Sequence, residues 1–79
     1  MIEVLCRDGS DDIRLERVEG RPPRLHIGTH HTVEQVVGAL GDALDPAEAA
    51  AFQRLWSQDG VHRNFTRFGD GVLFTLAEE

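Results

Sequence analysis

The dipeptide Asp45-Pro46 divides the middle of this 79-residue chain into two short segments of helical character. Proline fixes its own backbone angle and disfavours helical geometry in the residue before it, so one helix has to end by Asp45. The same position is a strong helix start, because it combines an N-cap aspartate, a proline at the first helical position and Glu48 at the third. A connection this short predicts that the two helices pack against each other as a hairpin.

Each helical segment carries a single apolar stripe. Thr32 and Gln35 have the spacing of a capping box and predict where the first helix begins. Gly60 predicts where the second helix ends, since glycine readily takes the left-handed conformation that terminates helices. The stripes consist of Val33, Val36, Val37, Leu40 and Leu44 in the first helix, and of Ala49, Phe52, Leu55 and Trp56 in the second. Residues at this spacing bury one face of a helix against a core.

Alternating apolar and polar residues predict strands on both sides of the helical pair. Residues 2–18 are expected to form a β-hairpin, with an acidic loop at residues 8–12. After two adjacent prolines, residues 24–27 indicate a short third strand that places Leu25 and Ile27 on one face.

Residues 61–68 and 72–77 predict a second β-hairpin, which closes the chain with Asp70-Gly71 as its two-residue turn. This turn sets Phe68 opposite Leu73, Thr66 opposite Thr75, Phe65 opposite Leu76, and Arg63 opposite Glu78. Aromatic–aliphatic, Thr–Thr and opposite-charge pairs across strands are favourable, which supports this register.

The resulting order βββααββ predicts a single α+β domain that spans residues 1–79. We expect an antiparallel sheet of about five short strands, with the two-helix hairpin packed on one face. Since so short a chain buries only about 60% of its unfolded surface, its core is expected to be small.

The composition indicates the compartment of the protein and the charge of its partners. A single cysteine, Cys6, excludes an internal disulfide and fits a reducing compartment. The chain shows neither a signal-peptide pattern at its start nor the roughly 20 consecutive apolar residues of a membrane helix, so we expect a cytoplasmic protein. Its formal charge is −6, and all of its bases are arginines. This charge opposes general binding to phosphate backbones and favours basic partners.

No set of residues has the spacing that catalysis requires, so we expect a protein that is not an enzyme and uses no cofactor. Cys6 lies in an apolar alternating stretch, where cysteine behaves as a small hydrophobic residue rather than as a nucleophile. Ser10 is expected in a turn and Ser57 at a helix end, with no histidine placed to activate either hydroxyl.

Two possible metal sites are weak in this sequence, and we expect no bound metal. The acidic loop follows the EF-hand calcium pattern in part, but Ile13 stands where that loop needs a glycine for its sharp turn. The transition-metal candidates are Cys6, His26, His30, His31 and His62. These residues lack the paired spacing that is typical of structural zinc sites.

Carboxylates concentrate in the predicted first hairpin, which makes it the candidate partner-binding face. The residues concerned are Asp8, Asp11, Asp12, Glu16 and Glu19. Carboxylates can pair with arginine and lysine side chains as phosphates do, through charge-assisted hydrogen bonds. We therefore predict a protein-interaction module, monomeric or homodimeric, that docks on a basic and nucleic-acid-binding surface of another protein.

Two alternatives stay open. The two helices followed by a hairpin have the order of a winged helix-turn-helix domain, in which the second helix would read DNA. The closing hairpin carries the basic-aromatic patch of this sequence, with Phe65 between Arg63 and Arg67. A second possibility is a small subunit-type protein that self-associates through its helical pair, because an 8.8 kDa domain has little core of its own.

In size, charge and absence of a catalytic motif, the chain resembles the small acidic inhibitors that phages make against host defence, the anti-CRISPR proteins among them. The resemblance covers this overall profile and includes no residue motif, so it assigns no functional residue. It implies an inhibitor that fills a site where target DNA or a guide-bound protein must engage.

Overall fold

The computed structural model describes residues 2–57 and 63–76. These residues form the strands β1 (Ile2–Arg7), β2 (Arg14–Glu16), β3 (Arg24–Gly28), β4 (Arg63–Phe68) and β5 (Gly71–Leu76), and the helices α1 (Val33–Leu40) and α2 (Pro46–Ser57). The α+β class and the predicted order βββααββ are confirmed. Neither helix in these ranges is long and apolar enough to cross a membrane.

The strands form one sheet in the order β2-β3-β1-β5-β4. The central strand β1 pairs in parallel with β3 and antiparallel with β5. The outer strands β2 and β4 pair antiparallel with β3 and β5, respectively. The sheet is therefore mixed, and the prediction of an antiparallel sheet is wrong for the β1–β3 pair.

The predicted hairpin over residues 2–18 is also wrong, because β3 lies between β1 and β2. β1 is the central strand, so its backbone N–H and C=O groups need partner strands of similar length on both sides. The five-residue β3 meets this need, whereas β2 has only three residues. The loop after β1 passes over the end of β3, so that β2 pairs with the side of β3 that faces away from β1.

The hydrophobic core lies between the helices and one face of the sheet. Its buried members are Ile2, Val4, Cys6, Leu25, Ile27 and Leu76 from the strands, and Val36, Phe52 and Leu55 from the helices. Phe52 is completely buried, and it stacks on Trp56 with 5.9 Å between the ring centroids. The apolar stripe predicted for the second helix is therefore confirmed for Phe52, Leu55 and Trp56, which lie in the core or pack against it.

The predicted capping box at the start of α1 is confirmed. The Thr32 hydroxyl accepts a hydrogen bond from the Gln35 amide at 3.2 Å, and the Gln35 side chain accepts one from the Thr32 amide at 2.9 Å. The helix ends at Leu40 rather than continuing to Leu44, because Gly41 takes a positive φ of 51°. A short 3₁₀ turn over Gly41–Ala43 then leads to Leu44, which is buried.

Helix α2 begins at Pro46, as predicted, and its first turn is tied to the rest of the fold. The Asp45 amide donates to the Glu48 carboxylate at 3.1 Å, which satisfies a free donor at the helix start. Arg17 donates to both carboxylate oxygens of Glu48, at 2.6 and 3.0 Å, and to the Ala43 carbonyl at 3.1 Å. These bonds lower the pKa of Glu48, with the Arg17 bond as the largest cause. Gly60, the predicted helix end, lies outside the described residues.

The closing hairpin forms, but its turn is Gly69-Asp70 instead of Asp70-Gly71. The observed pairs are Phe68–Gly71, Arg67–Val72, Thr66–Leu73, Phe65–Phe74 and Arg63–Leu76. The predicted register is therefore wrong by two positions, although each residue keeps its predicted face because side chains alternate with a period of two. Glu78, the predicted partner of Arg63, is not among the described residues.

Glycine geometry explains the shifted turn. Gly69 has a φ of 63°, in the left-handed region that tight hairpin turns require. A Cβ on Gly71 would lie only 2.7 Å from the Cys6 carbonyl oxygen. Position 71 therefore requires glycine because β5 approaches β1 closely there. Turn propensity alone does not identify Gly71 as a strand residue.

Candidate protein-interaction site

Three connections meet at one end of the sheet. Arg7, the last residue of β1, pairs with Gly28 at the end of β3 and with Gly71 at the start of β5. The loop after β1, the turn after β3 and the β4–β5 turn therefore lie side by side. We define the acidic end as the four carboxylates in these connections: Asp8, Asp11, Asp12 and Asp70.

The loop after β1 is packed against the end of β3. The Asp8 carboxylate accepts a hydrogen bond from the Thr29 hydroxyl at 3.4 Å, and the Thr29 amide donates to the Arg7 carbonyl at 3.3 Å. A Cβ on Gly28 would lie 1.9 Å from the Ser10 carbonyl oxygen, so only glycine fits there. This close contact fixes the loop that presents the aspartates.

The charges at the acidic end are only partly neutralised. Asp70 accepts a hydrogen bond from Arg7 at 3.1 Å, and Asp11 lies 3.4 Å from the His30 ring nitrogen Nε2. Both pairs are exposed, where an ion pair contributes little. Within the described residues, Asp8 and Asp12 are exposed and form no ion pair with an arginine. The acidic end is therefore a negative surface with access to solvent.

The structure separates the five carboxylates that the sequence grouped as one candidate face. Asp8, Asp11 and Asp12 lie together at the acidic end. Glu16 ends β2 and pairs with the first residue of β3, so it lies toward the opposite end of the sheet. Glu19 follows β2 and is exposed at that opposite end. Only the three aspartates can therefore contact one small surface together.

Glu16 instead belongs to a polar layer on the sheet face that carries no helix. His26 is only 7% exposed, and its Nε2 lies 3.1 Å from the Glu16 carboxylate. The hydrogen bond from His26 lowers the pKa of Glu16. The other ring nitrogen, Nδ1, lies 3.5 Å from the Arg7 guanidinium. The same layer contains an ion pair of 3.3 Å between Arg24 and Glu3.

The sequence places Arg24 and His26 on the face of the third strand opposite to Leu25 and Ile27, but it does not show that Glu16 and Arg7 meet His26 there, because that depends on the strand order. One sequence feature indicates that this second face is covered. Leu5 lies between Glu3 and Arg7 on the face of β1 opposite to the core residues, and it is fully buried in the structure. A strand with a buried leucine on its second face needs neighbours that cover that face. Arg7 and His26 lie beside Leu5 in the pairing register of β1 and β3.

An open apolar cleft of about 250 Å³ borders the acidic end. Its lining residues are Cys6, Thr29, Trp56, Val72 and Phe74. Trp56 meets Phe74 edge to face, with 5.3 Å between the ring centroids. Thr29 joins the cleft to the acidic loop, since its hydroxyl donates to Asp8. The cleft could not be predicted from the sequence, because it depends on β5 lying beside β1.

The structure shows the surroundings of the candidate nucleophile Cys6 and of the candidate metal ligand His31. Burial raises the pKa of the Cys6 thiol to about 11, which suppresses the thiolate needed for nucleophilic attack. The His31 ring accepts a hydrogen bond from the Gly28 amide at 2.8 Å and so stabilises the turn after β3. In the described part of the chain, no three metal-ligating side chains come together. His62 lies outside that part.

No protein-family model, curated protein or solved structure matches this chain. Its function is therefore inferred from its own residues.

Proposed function

We propose that this chain is a non-enzymatic interaction module that docks its acidic end on a basic surface of a partner protein. The partner's surface is one that holds nucleic acid, and the bound module occludes it. The protein would act as a stoichiometric inhibitor of the kind that phages make against host defence, of which anti-CRISPR proteins are one type. The observation that carries this proposal is the grouping of Asp8, Asp11 and Asp12 on a fixed loop at one end of the sheet.

Carboxylates in this arrangement can replace phosphates on the partner. Each exposed carboxylate offers two acceptor oxygens to arginine or lysine, and hydrogen bonds between charged groups are about twice as strong as neutral ones. The formal charge of −6 steers the molecule toward a positive surface and speeds the encounter. Because salt screens exposed charges, the complex should weaken as ionic strength rises.

The apolar cleft gives the acidic end a second kind of contact. Long basic side chains bury their methylene stems on apolar surface while the charged group stays near solvent. If a partner arginine binds Asp8 through its guanidinium, its methylene groups can pack against Trp56 in the cleft. Thr29 links the two positions, because it lines the cleft and donates a hydrogen bond to Asp8. The aromatic ring also attracts a guanidinium placed over its face.

The geometry gives less support to a winged helix-turn-helix function. A recognition helix must expose the face that enters the major groove. Helix α2 buries Phe52 and Leu55 on the sheet and exposes Gln53 and Arg54. The β4–β5 hairpin, which would be the wing, is part of the five-stranded sheet through its pairing with β1.

Self-association through the helical pair also has less support. The exposed positions of the two helices include Glu34, Gln35, Ala39, Ala50 and Gln53, which are polar or small. Among the described residues, the large hydrophobic side chains that are well exposed are Val18 and Phe65, and neither lies on a helix. A helix-mediated dimer would therefore bury little apolar area.

Affinity capture with a charge-reversed control tests the proposal. The wild-type chain and the variant Asp11→Arg/Asp12→Arg are used as bait in a lysate of the native host, and bound proteins are identified by mass spectrometry. The control Glu19→Arg/Asp42→Arg changes the formal charge by the same amount at the opposite end of the sheet. We expect the wild type and the control to capture the same nucleic-acid-binding protein, and the Asp11/Asp12 variant to lose it. Equal capture by all three proteins would refute the assignment of the acidic end.

A further inference from the structure

Strand β4 forms an open edge of the sheet, two strands away from β1, whose loop carries Asp8, Asp11 and Asp12. Its inner side pairs with β5, and no strand among the described residues pairs with its outer side. Phe65 on this strand is 71% exposed, and its neighbours Thr66 and Arg67 are exposed as well. An edge strand of this length with an exposed aromatic side chain is a site where another extended chain can pair.

Phe65 is held in place by the aromatic side chains behind it. It pairs with Phe74 across the two strands, with 6.2 Å between the ring centroids, and Phe74 contacts Trp56 of α2. The ring is therefore fixed against the core while most of its surface faces solvent. Fixed aromatic residues are effective anchors for a partner, because binding costs them little conformational entropy.

Arg67 lies two residues from Phe65, so both are on the sheet face that carries the helices. It forms no ion pair within the described residues. A second copy of the chain is a poor occupant, because symmetric antiparallel pairing centred on Phe65 would set position 67 opposite position 63 of the other copy. Both positions are arginine, and like charges directly opposite each other destabilise a pair of strands.

We propose that β4 binds an extended segment of a partner protein by strand addition. The segment places an apolar side chain against Phe65 and a carboxylate opposite Arg67. Any extended segment can form backbone hydrogen bonds with β4, so these bonds contribute affinity without selectivity. The contacts with Phe65 and Arg67 determine which segments bind best. Single-stranded nucleic acid can also use aromatic and arginine side chains, but its sugar–phosphate backbone has no peptide N–H and C=O groups that could pair with the outer side of β4.

The test uses short blocked peptides and the full chain labelled with ¹⁵N. One peptide has glutamates on both sides of a central valine on the same strand face, and the other has lysines at those positions. We expect the glutamate peptide to shift the amide resonances of residues 63–68 and to slow their hydrogen exchange. The lysine peptide should bind about fivefold more weakly or worse, since each opposed charge pair contributes up to about 1 kcal/mol.

Three variants separate pairing from general effects of charge. Arg67→Glu should remove the preference between the peptides, because position 63, which faces the second charge of each peptide, is still arginine. Phe65→Thr should weaken the binding of both peptides while keeping a residue that favours strands. Arg14→Glu, an exposed arginine on the opposite edge strand, makes the same charge change and should leave the preference as it is.

Several outcomes would overturn the inference. These are shifts that map away from β4, an unchanged preference in Arg67→Glu, or protection of β4 that grows with protein concentration when no peptide is present. The last result would make a second copy the occupant. Stronger binding of a thymidine oligonucleotide to β4 would assign this edge to nucleic acid. All of these measurements are independent of the acidic end, so they can fail while the proposed function stands.

Discussion

Burial decides what the Cys6 thiol can do. The residue lies on the central strand, under helix α2, and burial raises its pKa from 9.0 to about 11. Only the thiolate attacks electrophilic reagents, so reactivity follows the thiolate fraction. A cysteine that lines an open cleft is thus kept chemically inert.

At about pH 8, we expect a maleimide to modify Cys6 in the folded protein about 100-fold more slowly than in the denatured chain. The factor follows from a pKa that rises from 9.0 to about 11, which lowers the thiolate fraction by about two orders of magnitude. Mass spectrometry of quenched time points, with and without denaturant, measures both rates. Equal rates would show that the thiol is neither buried nor perturbed.

Glu16 contributes to stability in a way that depends on pH. The hydrogen bond from His26 lowers the pKa of Glu16 below its ordinary value of 4.5. A carboxyl whose pKa is lower in the folded state stabilises the fold above its unfolded pKa, and that contribution is lost as the pH falls through the folded pKa. The stabilisation should therefore be complete near neutral pH and disappear in acid.

The variant Glu16→Gln tests this linkage. We expect it to be less stable than the wild type at about pH 6, and equal to it at a pH below the folded pKa of Glu16, where that side chain is protonated and resembles glutamine. Urea unfolding at both pH values gives the two differences in free energy. A difference that stayed constant with pH would show that the Glu16–His26 contact has no electrostatic part.

At the scale of the elements, local signals were the reliable ones. The capping box at Thr32 and the start of α2 at Pro46 depend on residues within one helical turn, and both were predicted correctly. Strand pairing depends on residues that are distant in sequence. The pattern of residues 2–18 shows which side chains face the core, but it cannot show that β3 separates β1 from β2.

Two glycines illustrate the limit of local reasoning. Gly38, in the interior of α1, has open space where a Cβ would lie, so this position does not require glycine. Gly28, at the end of β3, would place a Cβ 1.9 Å from the Ser10 carbonyl oxygen. In the sequence Gly38 lies inside a predicted helix and Gly28 directly follows a predicted strand, and neither position shows whether glycine is required. Only the packing of the acidic loop against Gly28 distinguishes the two.

Alanine substitutions should therefore have opposite effects at these two positions. We expect Gly38→Ala to stabilise the protein by about 0.5–1 kcal/mol, because alanine loses less backbone entropy in a helix. Gly28→Ala should destabilise it, because the loop after β1 has to move away. Denaturant unfolding of the two variants measures both changes. A destabilising Gly38→Ala would mean that another group approaches that face of α1.

At the scale of the whole molecule, arginine side chains form ion pairs with some of the described carboxylates and not with others. Arg7, Arg17 and Arg24 form ion pairs with Asp70, Glu48 and Glu3, respectively. Several exposed carboxylates are left without an arginine partner in the described part of the chain, and Asp8, Asp11 and Asp12 are the three that lie close together on one loop. The sequence identified these aspartates as candidates, but it grouped them with Glu16 and Glu19. That grouping fails because β2 runs away from the acidic loop, as the second strand of a hairpin also would, and so leaves Glu16 and Glu19 at the other end of the sheet.

Displacement of nucleic acid tests the central claim most directly. A labelled nucleic acid is bound to the captured partner, and its release is followed by fluorescence anisotropy as the wild type, Asp11→Arg/Asp12→Arg or Glu19→Arg/Asp42→Arg is added. If the acidic end occupies the basic surface, the wild type and the Glu19/Asp42 control release the nucleic acid at similar concentrations, and the Asp11/Asp12 variant needs at least about tenfold more, as expected for the loss of about 1.4 kcal/mol. Equal release by both variants, or a stable complex that contains the partner, the nucleic acid and this protein together, would contradict it.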